Sequence, residues 1–181
     1  MKITIIRHGK VNMQWPKRCN SKTFDAACNE YDIAHIEKID NLCRVDCDDI
    51  YISKYLRSFE TAEALFASKE YIKTDNIGEV PLRSFIDSNI QLPLWIWNVM
   101  GRMQWYFNFN RQKESRYETI KRADSVIAEL EEKNKDCVLV THGFFMKTLI
   151  NRLKKKEYIV DGQKMLGFSN LQMVTAEKRV N

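Results

Sequence analysis

Two of the three histidines in this chain, His8 and His142, share one local setting: each follows a run of apolar residues and each is followed by glycine. Imidazole is the side chain that can be a neutral nucleophile or a cationic proton donor near neutral pH. A repeated His-Gly at the end of an apolar run is therefore a place to look for chemistry. Arginines accompany these segments. Arg7 precedes His8, and Arg57 lies four residues after Ser53, which closes a third apolar run. A guanidinium offers a planar fork of donors and stays cationic at any working pH, so two of them can hold the non-bridging oxygens of a phosphoryl group without a metal. An imidazole held neutral beside them can attack phosphorus. Phosphoryl chemistry is what these residue types fit.

That chemistry requires elements that bring the groups together. Residues 1–6 (Met1, Ile3, Ile5 and Ile6 with Thr4), 49–53 around Ile50, Tyr51 and Ile52, and 137–141 around Val138, Leu139 and Val140 are short apolar runs. Such runs suit strands buried on both faces. A weaker strand is expected at 171–175. Between them lie helical patterns. Residues 58–68 place Phe59, Ala62, Leu65 and Phe66 on one face; 115–133 carry a stripe of Tyr117, Ile120, Ala123, Ile127 and Leu130; 144–153 set Phe145, Leu149 and Leu153 at four-residue spacing. A polar helical stretch is expected at 32–42, with His35 on its surface. The alternation predicts an α/β domain, a three-layer α/β/α sandwich around a largely parallel sheet.

Ligands in such folds sit beyond the carboxyl ends of the strands. If the three strong strands are neighbours, His8, His142, Arg7 and Arg57 converge on one crevice. Gly9 is expected to leave room for substrate, and Gly143 to let the backbone approach it at a helix start, where amides add partial positive charge. Ser53 reads as the N-cap of the helix that follows.

The chain has 181 residues, 44% of them hydrophobic and 11% aromatic, enough to build a buried core and to exclude wholesale disorder. Six glycines and three prolines leave little room for a turn-dense all-β fold. No Gly, Ser or Pro linker divides the chain, so residues 1–181 read as one domain. Basic residues exceed acidic ones by 29 to 24, a net +5 that favours anionic partners. No apolar stretch approaches membrane-spanning length, and Arg7 interrupts the first one, so a cytoplasmic location and no membrane partner are expected. Five cysteines in such a chain read as reduced thiols. Cys43 and Cys47 with Cys19, Cys28 or His35 lack the paired spacing of zinc modules, and no metal or other cofactor is expected.

Three segments together resemble the histidine phosphatase superfamily, also called phosphoglycerate mutase-like. Its Arg-His-Gly triplet after the first strand is matched by Arg7, His8 and Gly9. A serine, an arginine four residues on, then Glu-Thr-Ala is matched by Ser53, Arg57, Glu60, Thr61 and Ala62; an apolar strand closing in His-Gly is matched by 138–143. The order is the family's, and the resemblance extends over most of the chain.

The resemblance implies a phosphomonoesterase of histidine acid phosphatase type, acting on a phosphorylated small molecule or a phosphoprotein through a phosphohistidine, without a metal. It makes His8 the nucleophile, Arg7 and Arg57 the phosphoryl clamps, and His142 a cationic stabiliser of the transferring group. An alkoxide leaving group needs a proton. The family's Leu-x-Glu pattern is best matched by Ile77, Gly78 and Glu79, which makes Glu79 the general acid, with Asp87 second. Members usually follow the triplet with Glu or Gln and place an asparagine several residues on. Here Lys10 follows, and Asn12 or Gln14 would supply that polar contact.

The aromatic segment at 91–111, with Trp95, Trp97, Trp105, Tyr106, Phe107 and Phe109, reads as a packing helix or, within 80–112, as a cap over the phosphate pocket. Stacking on single-stranded nucleic acid needs a continuous basic groove that the sequence does not otherwise supply, so no nucleic-acid partner is expected. A mutase of the same family and a non-catalytic phosphate-binding module are the two alternatives. Lys154, Lys155 and Lys156 read as a solvated helix end.

Overall fold

Strands buried on both faces need a helical layer on each side, and the chain supplies both. The computed structural model describes residues 1–39, 47, 49–66, 70–162 and 167–178. In chain order the elements are β1 (Lys2–Arg7), β2 (Arg18–Cys19), α1 (Ser21–Ile33), β3 (Asp49–Ile52), α2 (Leu56–Leu65), β4 (Ile72–Lys73), a 3-10 turn (Asp75–Ile77), β5 (Leu92–Pro93), α3 (Leu94–Tyr106), α4 (Arg116–Lys133), β6 (Cys137–Thr141), α5 (Gly143–Lys155), β7 (Tyr158–Asp161) and β8 (Met173–Lys178). The main sheet runs β4-β3-β6-β1-β8-β7. Its first four strands are parallel, and β8 and β7 extend it in antiparallel pairing.

Side chains alternate across this sheet. Ile3, Ile5, Cys137 and Leu139 pack under α4 and α5, with Ile127, Leu130, Phe145, Leu149 and Leu153. Ile6, Ile50, Ile52, Val138 and Val140 pack on the other face against Ala62 and Leu65 of α2. The expected three layers and mostly parallel sheet are present. A third, smaller cluster lies apart, where Phe24 of α1 stacks on Trp97 of α3 (centroids 5.7 Å) beside Cys19 and Phe85.

Several boundaries differ from expectation, each for a local reason. Of the helix expected at 32–42 only Asp32 and Ile33 are helical, as the end of α1, and 34–39 are not; 40–42 lie outside the described residues, as do Cys43, Ser68 and Lys69. The helix lies upstream instead, because Asn20 and Thr23 form a capping box that starts α1. Past Ala34 the chain turns extended, Ile36 bridges Val11, and the Asn12 amide donates to the His35 carbonyl at 2.8 Å. α2 begins at Leu56, so Arg57 sits in its first turn. Ser115 and Glu118 cap α4, but Tyr117 points to solvent, off the buried stripe of Ala123, Val126, Ile127 and Leu130. The last strand begins two residues later than expected, at Met173. Among the described residues no helix is long and apolar enough to cross a membrane.

Candidate active site

Register decides what meets at the strand ends. In the β1–β6 ladder Arg7 pairs with Thr141, and in the β3–β6 ladder Ile52 pairs with Val140. His8, Ser53 and His142 therefore leave the sheet side by side. The His8 amide donates to the Thr141 carbonyl at 2.9 Å, and the two imidazole centroids are 5.0 Å apart. Both rings are buried, at 1% and 0% exposure.

The hydrogen bonds fix both tautomers. A carbonyl only accepts, so the 2.7 Å contact between His8 Nδ1 and the Gly9 oxygen places the proton on Nδ1 and leaves the Nε2 lone pair unprotonated. His142 is the mirror case. Arg57 Nε donates to its Nδ1 at 3.2 Å, so the proton is on Nε2, which donates to Ser53 Oγ at 2.7 Å. Burial, then the neighbouring Arg57, pushes the His8 imidazolium down to about 3, and the same two causes hold His142 well below the usual imidazole range. The free site thus contains two neutral imidazoles. In the free site His142 is held neutral, because full burial beside a guanidinium opposes its charge.

Ser53 is not a helix cap. Tyr55 occupies the N-cap position of α2 without a side-chain bond, while the Ser53 hydroxyl orients His142.

Arg57 is 0% exposed and engaged at every nitrogen. Besides His142, its Nη1 donates to the carbonyls of Tyr31 (3.1 Å) and Asp32 (3.3 Å), and its Nη2 to Asp32 Oδ1 (3.2 Å). The Tyr55 and Tyr31 rings flank it at 4.3 and 4.8 Å. Arg7 Nη1 donates to the Phe168 carbonyl, and its Nε is buried with no hydrogen-bond partner. A Cβ on Gly143 would stand 3.1 Å from that Nε. Gly143 therefore makes room for the Arg7 guanidinium. Gly9 serves packing rather than substrate, since its Cβ would meet Ile36 Cδ1 at 3.1 Å.

Against Arg57 lies a cavity of about 230 Å³, walled also by Glu79, Tyr31, Asp32, Asn98 and Arg102 among others; His8, His142 and Arg7 are not part of its wall. Glu79 reaches it from the segment after the 3-10 turn. Thr141 Oγ1 donates to the Ile77 carbonyl at 2.6 Å, and Arg122 Nη1 to that of Gly78 at 2.8 Å, which fastens this segment beside β6. The Glu79 carboxylate accepts from the Phe145 amide at 3.1 Å and the Phe144 amide at 3.4 Å, across the start of α5. Glu79 thus faces one cavity with Asp32, Arg57 and Arg102, and the Arg57 bond to His142 links that cavity to the paired imidazoles.

The sequence matches the model of the histidine phosphatase superfamily (branch 1) over residues 3–160. The chain belongs to that superfamily. No curated protein matches it, but solved structures do, at identities that speak for the fold alone. Phosphoserine phosphatase of Entamoeba histolytica, a mutant in complex with phosphoserine, is 17% identical, with a TM-score of 0.61 over 96% of this chain and 89% of that one. A putative α-ribazole-5′-phosphate phosphatase of Escherichia coli is 18% identical, with a TM-score of 0.57 over 99% and 96%. The mycobacterial glucosyl-3-phosphoglycerate phosphatase is 18% identical, with a TM-score of 0.57 over 96% and 88%.

In this member of the superfamily some expected site residues lie elsewhere. Asn12 and Gln14 are exposed and do not line the cavity, although Trp15 beside Gln14 does. Asp87 is a surface residue bound by Arg111, Nη2 to Oδ1 at 2.6 Å and Nη1 to Oδ2 at 3.0 Å, outside the cavity lining. Other residues carry weight that sequence spacing did not reveal. Asp32 is a second carboxylate on the wall, its carboxyl held above the usual range by burial against the opposing pull of Arg57. Asn170 Nδ2 donates to the carbonyls of His8 (2.9 Å) and Gly9 (3.1 Å). Leu171 beside it takes a left-handed φ of 59° while its amide donates to the Arg7 carbonyl, local strain of the kind found at functional sites.

The histidine phosphatase fold should feel the depressed imidazole. Folded His8 binds its proton near pH 3, against 6.5 ordinarily. Between these values the unfolded chain holds more protons, so stability is full above the window and is lost as pH falls through it. At about 1.4 kcal/mol per pKa unit, lowering the pH from about 6 to about 4 should cost about 2 to 3 kcal/mol from His8 alone. Urea unfolding of wild type and His8→Ala at both pH values checks this. The variant should lose that much less, and equal losses would contradict the linkage.

Proposed function

We propose that this chain is a phosphomonoesterase of histidine acid phosphatase type that works in two metal-independent steps through phospho-His8. The observation that carries the proposal is the His8 tautomer: Nδ1 is tied to the Gly9 carbonyl, Nε2 is unprotonated, and Arg7 and Arg57 lie alongside. The unpartnered Arg7 Nε is a buried donor that a phosphoryl oxygen would satisfy. Two fixed guanidiniums supply the positive charge that a dianion requires.

In the first step His8 Nε2 bonds to phosphorus as the ester P–O bond breaks, and Glu79 gives its proton to the departing oxygen. In the second, Glu79 takes a proton from water as that oxygen bonds to phosphorus, releasing phosphate and restoring His8. Entry of the dianion has a cost in geometry. Arg57 must exchange bonds with Asp32, the carbonyls and His142 for bonds to phosphoryl oxygens. The same negative charge offsets the guanidiniums that keep His142 neutral, so Nδ1 can then take a proton and act as the cationic stabiliser.

The substrate in this reading is a small phosphorylated molecule, as named for the three similar structures. Residues 80–112 form the cap; Asn98 and Arg102 of α3 support this by facing the cavity. A cytoplasmic setting fits the thiols at Cys19, Cys28 and Cys137, which form no disulfide.

Two carboxylates on one cavity make the acid testable. Glu79→Gln should slow alkyl phosphates by about 10²- to 10⁴-fold, the usual contribution of a general acid. It should scarcely change kcat/KM for aryl phosphates, whose leaving groups need no proton in the first step, although loss of the base slows phosphate release from phospho-His8 in both ester classes. Asp32→Asn should affect both ester classes alike, through the Arg57 bond. If the leaving-group dependence follows Asp32 instead, that residue is the acid.

A further inference from the structure

A second cavity, of about 330 Å³, is lined by residues of α3, α4 and α5, Phe144 among them, and not by Glu79. Lys147, Asn151 and Lys155 recur every fourth residue along α5 with Thr148 and Arg152 beside them, so one helix face lines the cavity. Arg116 at the start of α4 closes it. Four cations thus face this space, and none of the lining residues is acidic. Among the described residues only Arg152 of the four is ion-paired, to Asp124 at 2.7 Å. Neither Lys147 nor Lys155 has an ion-pair partner among the described residues. Lys154 and Lys155 are exposed in the last turn of α5, as expected of a helix end, while the neighbouring Lys156 turns to Glu131 at 2.9 Å.

The floor is aromatic. Trp105 and Phe144 meet edge to face at 4.8 Å, and Tyr106 lies half-exposed with the Arg116 guanidinium 4.5 Å from its ring centroid. A flat ring can stack on such a surface, while Lys147 and Lys155, unpaired on one helix face about two turns apart, offer positive charge to an anion lying between them.

We infer that this cavity is a second binding site, distinct from the phosphatase pocket, for a ligand that joins a planar ring to a phosphate chain, as a nucleoside polyphosphate does. Adenosine triphosphate is the probe, titrated calorimetrically into the His8→Ala protein so that it is not turned over. Saturable binding is expected, at least tenfold weaker after Lys147→Glu with Lys155→Glu and retained after the corresponding Arg changes. Both lysines are exposed, so an unchanged unfolding midpoint verifies the fold of these variants. Tripolyphosphate and adenosine should each bind more weakly than the joined molecule. No saturable binding, binding indifferent to the charge reversals, or tripolyphosphate binding as tight as the nucleotide would overturn the inference. None of these outcomes bears on phosphoryl transfer at His8.

Discussion

His8→Ala is expected to lower the hydrolysis of any phosphate monoester by a factor on the order of 10⁴ or more, as loss of a covalent nucleophile does elsewhere. The size follows from what no neighbour can replace. His142 stands 5.0 Å away, but its Nε2 proton is held by Ser53, and its Nδ1 takes a proton once a dianion draws Arg57 off it. It has no free lone pair to offer phosphorus. The cavity left by an alanine is enclosed by buried groups, so water entering there is not activated by a base in contact with it. Affinity should survive better than turnover, since Arg7 and Arg57 remain. Steady-state kinetics with an aryl phosphate checks this, and a fall of less than tenfold would remove His8 from the reaction.

Arg57→Ala should be nearly as damaging, about 10³-fold or more in kcat/KM, because a guanidinium stabilising a transferring phosphoryl group is worth about 10³ to 10⁵. Arg57→Lys should recover only part of this, since an ammonium keeps the charge but not the fork. The substitution also carries a pH signature that a mere loss of packing would not. Arg57 is the second cause, after burial, of the depression of both imidazoles. Without it their pKa values rise, and attack needs His8 unprotonated. The acid limb of the kcat/KM profile should therefore move toward neutral pH in Arg57→Ala and stay in place in Arg57→Lys. An unmoved limb in the alanine variant would mean that the charge is not felt at His8.

Legibility in the sequence followed burial. Three strands buried on both faces announce themselves as apolar runs, and their exits carried Arg7, His8, Ser53 and His142 with them; the helices after them show a 3.6-residue stripe because one face is buried. Two-residue strands such as β2, β4 and β5 have too few positions for a period. α1 escaped notice because only Ser21, Phe24 and Ala27 are buried along its 13 residues, a stripe too sparse to read, and with it went Tyr31 and Asp32. Asn170 was equally hidden, an amide in a loop whose value lies in two carbonyls 161 and 162 residues away. Asp87 and Glu79 look alike in sequence. They separate only when Thr141 and Arg122 fasten one beside α5, and Arg111 holds the other at the surface.

Rapid quenching of the wild-type reaction, followed by mass spectrometry of peptides kept at alkaline pH, tests the phosphohistidine most directly. One phosphoryl group on His8, lost on acid treatment and absent from His8→Ala, is the predicted result. Turnover with no protein-bound phosphate at any quench time, or the same label persisting in the variant, would contradict it.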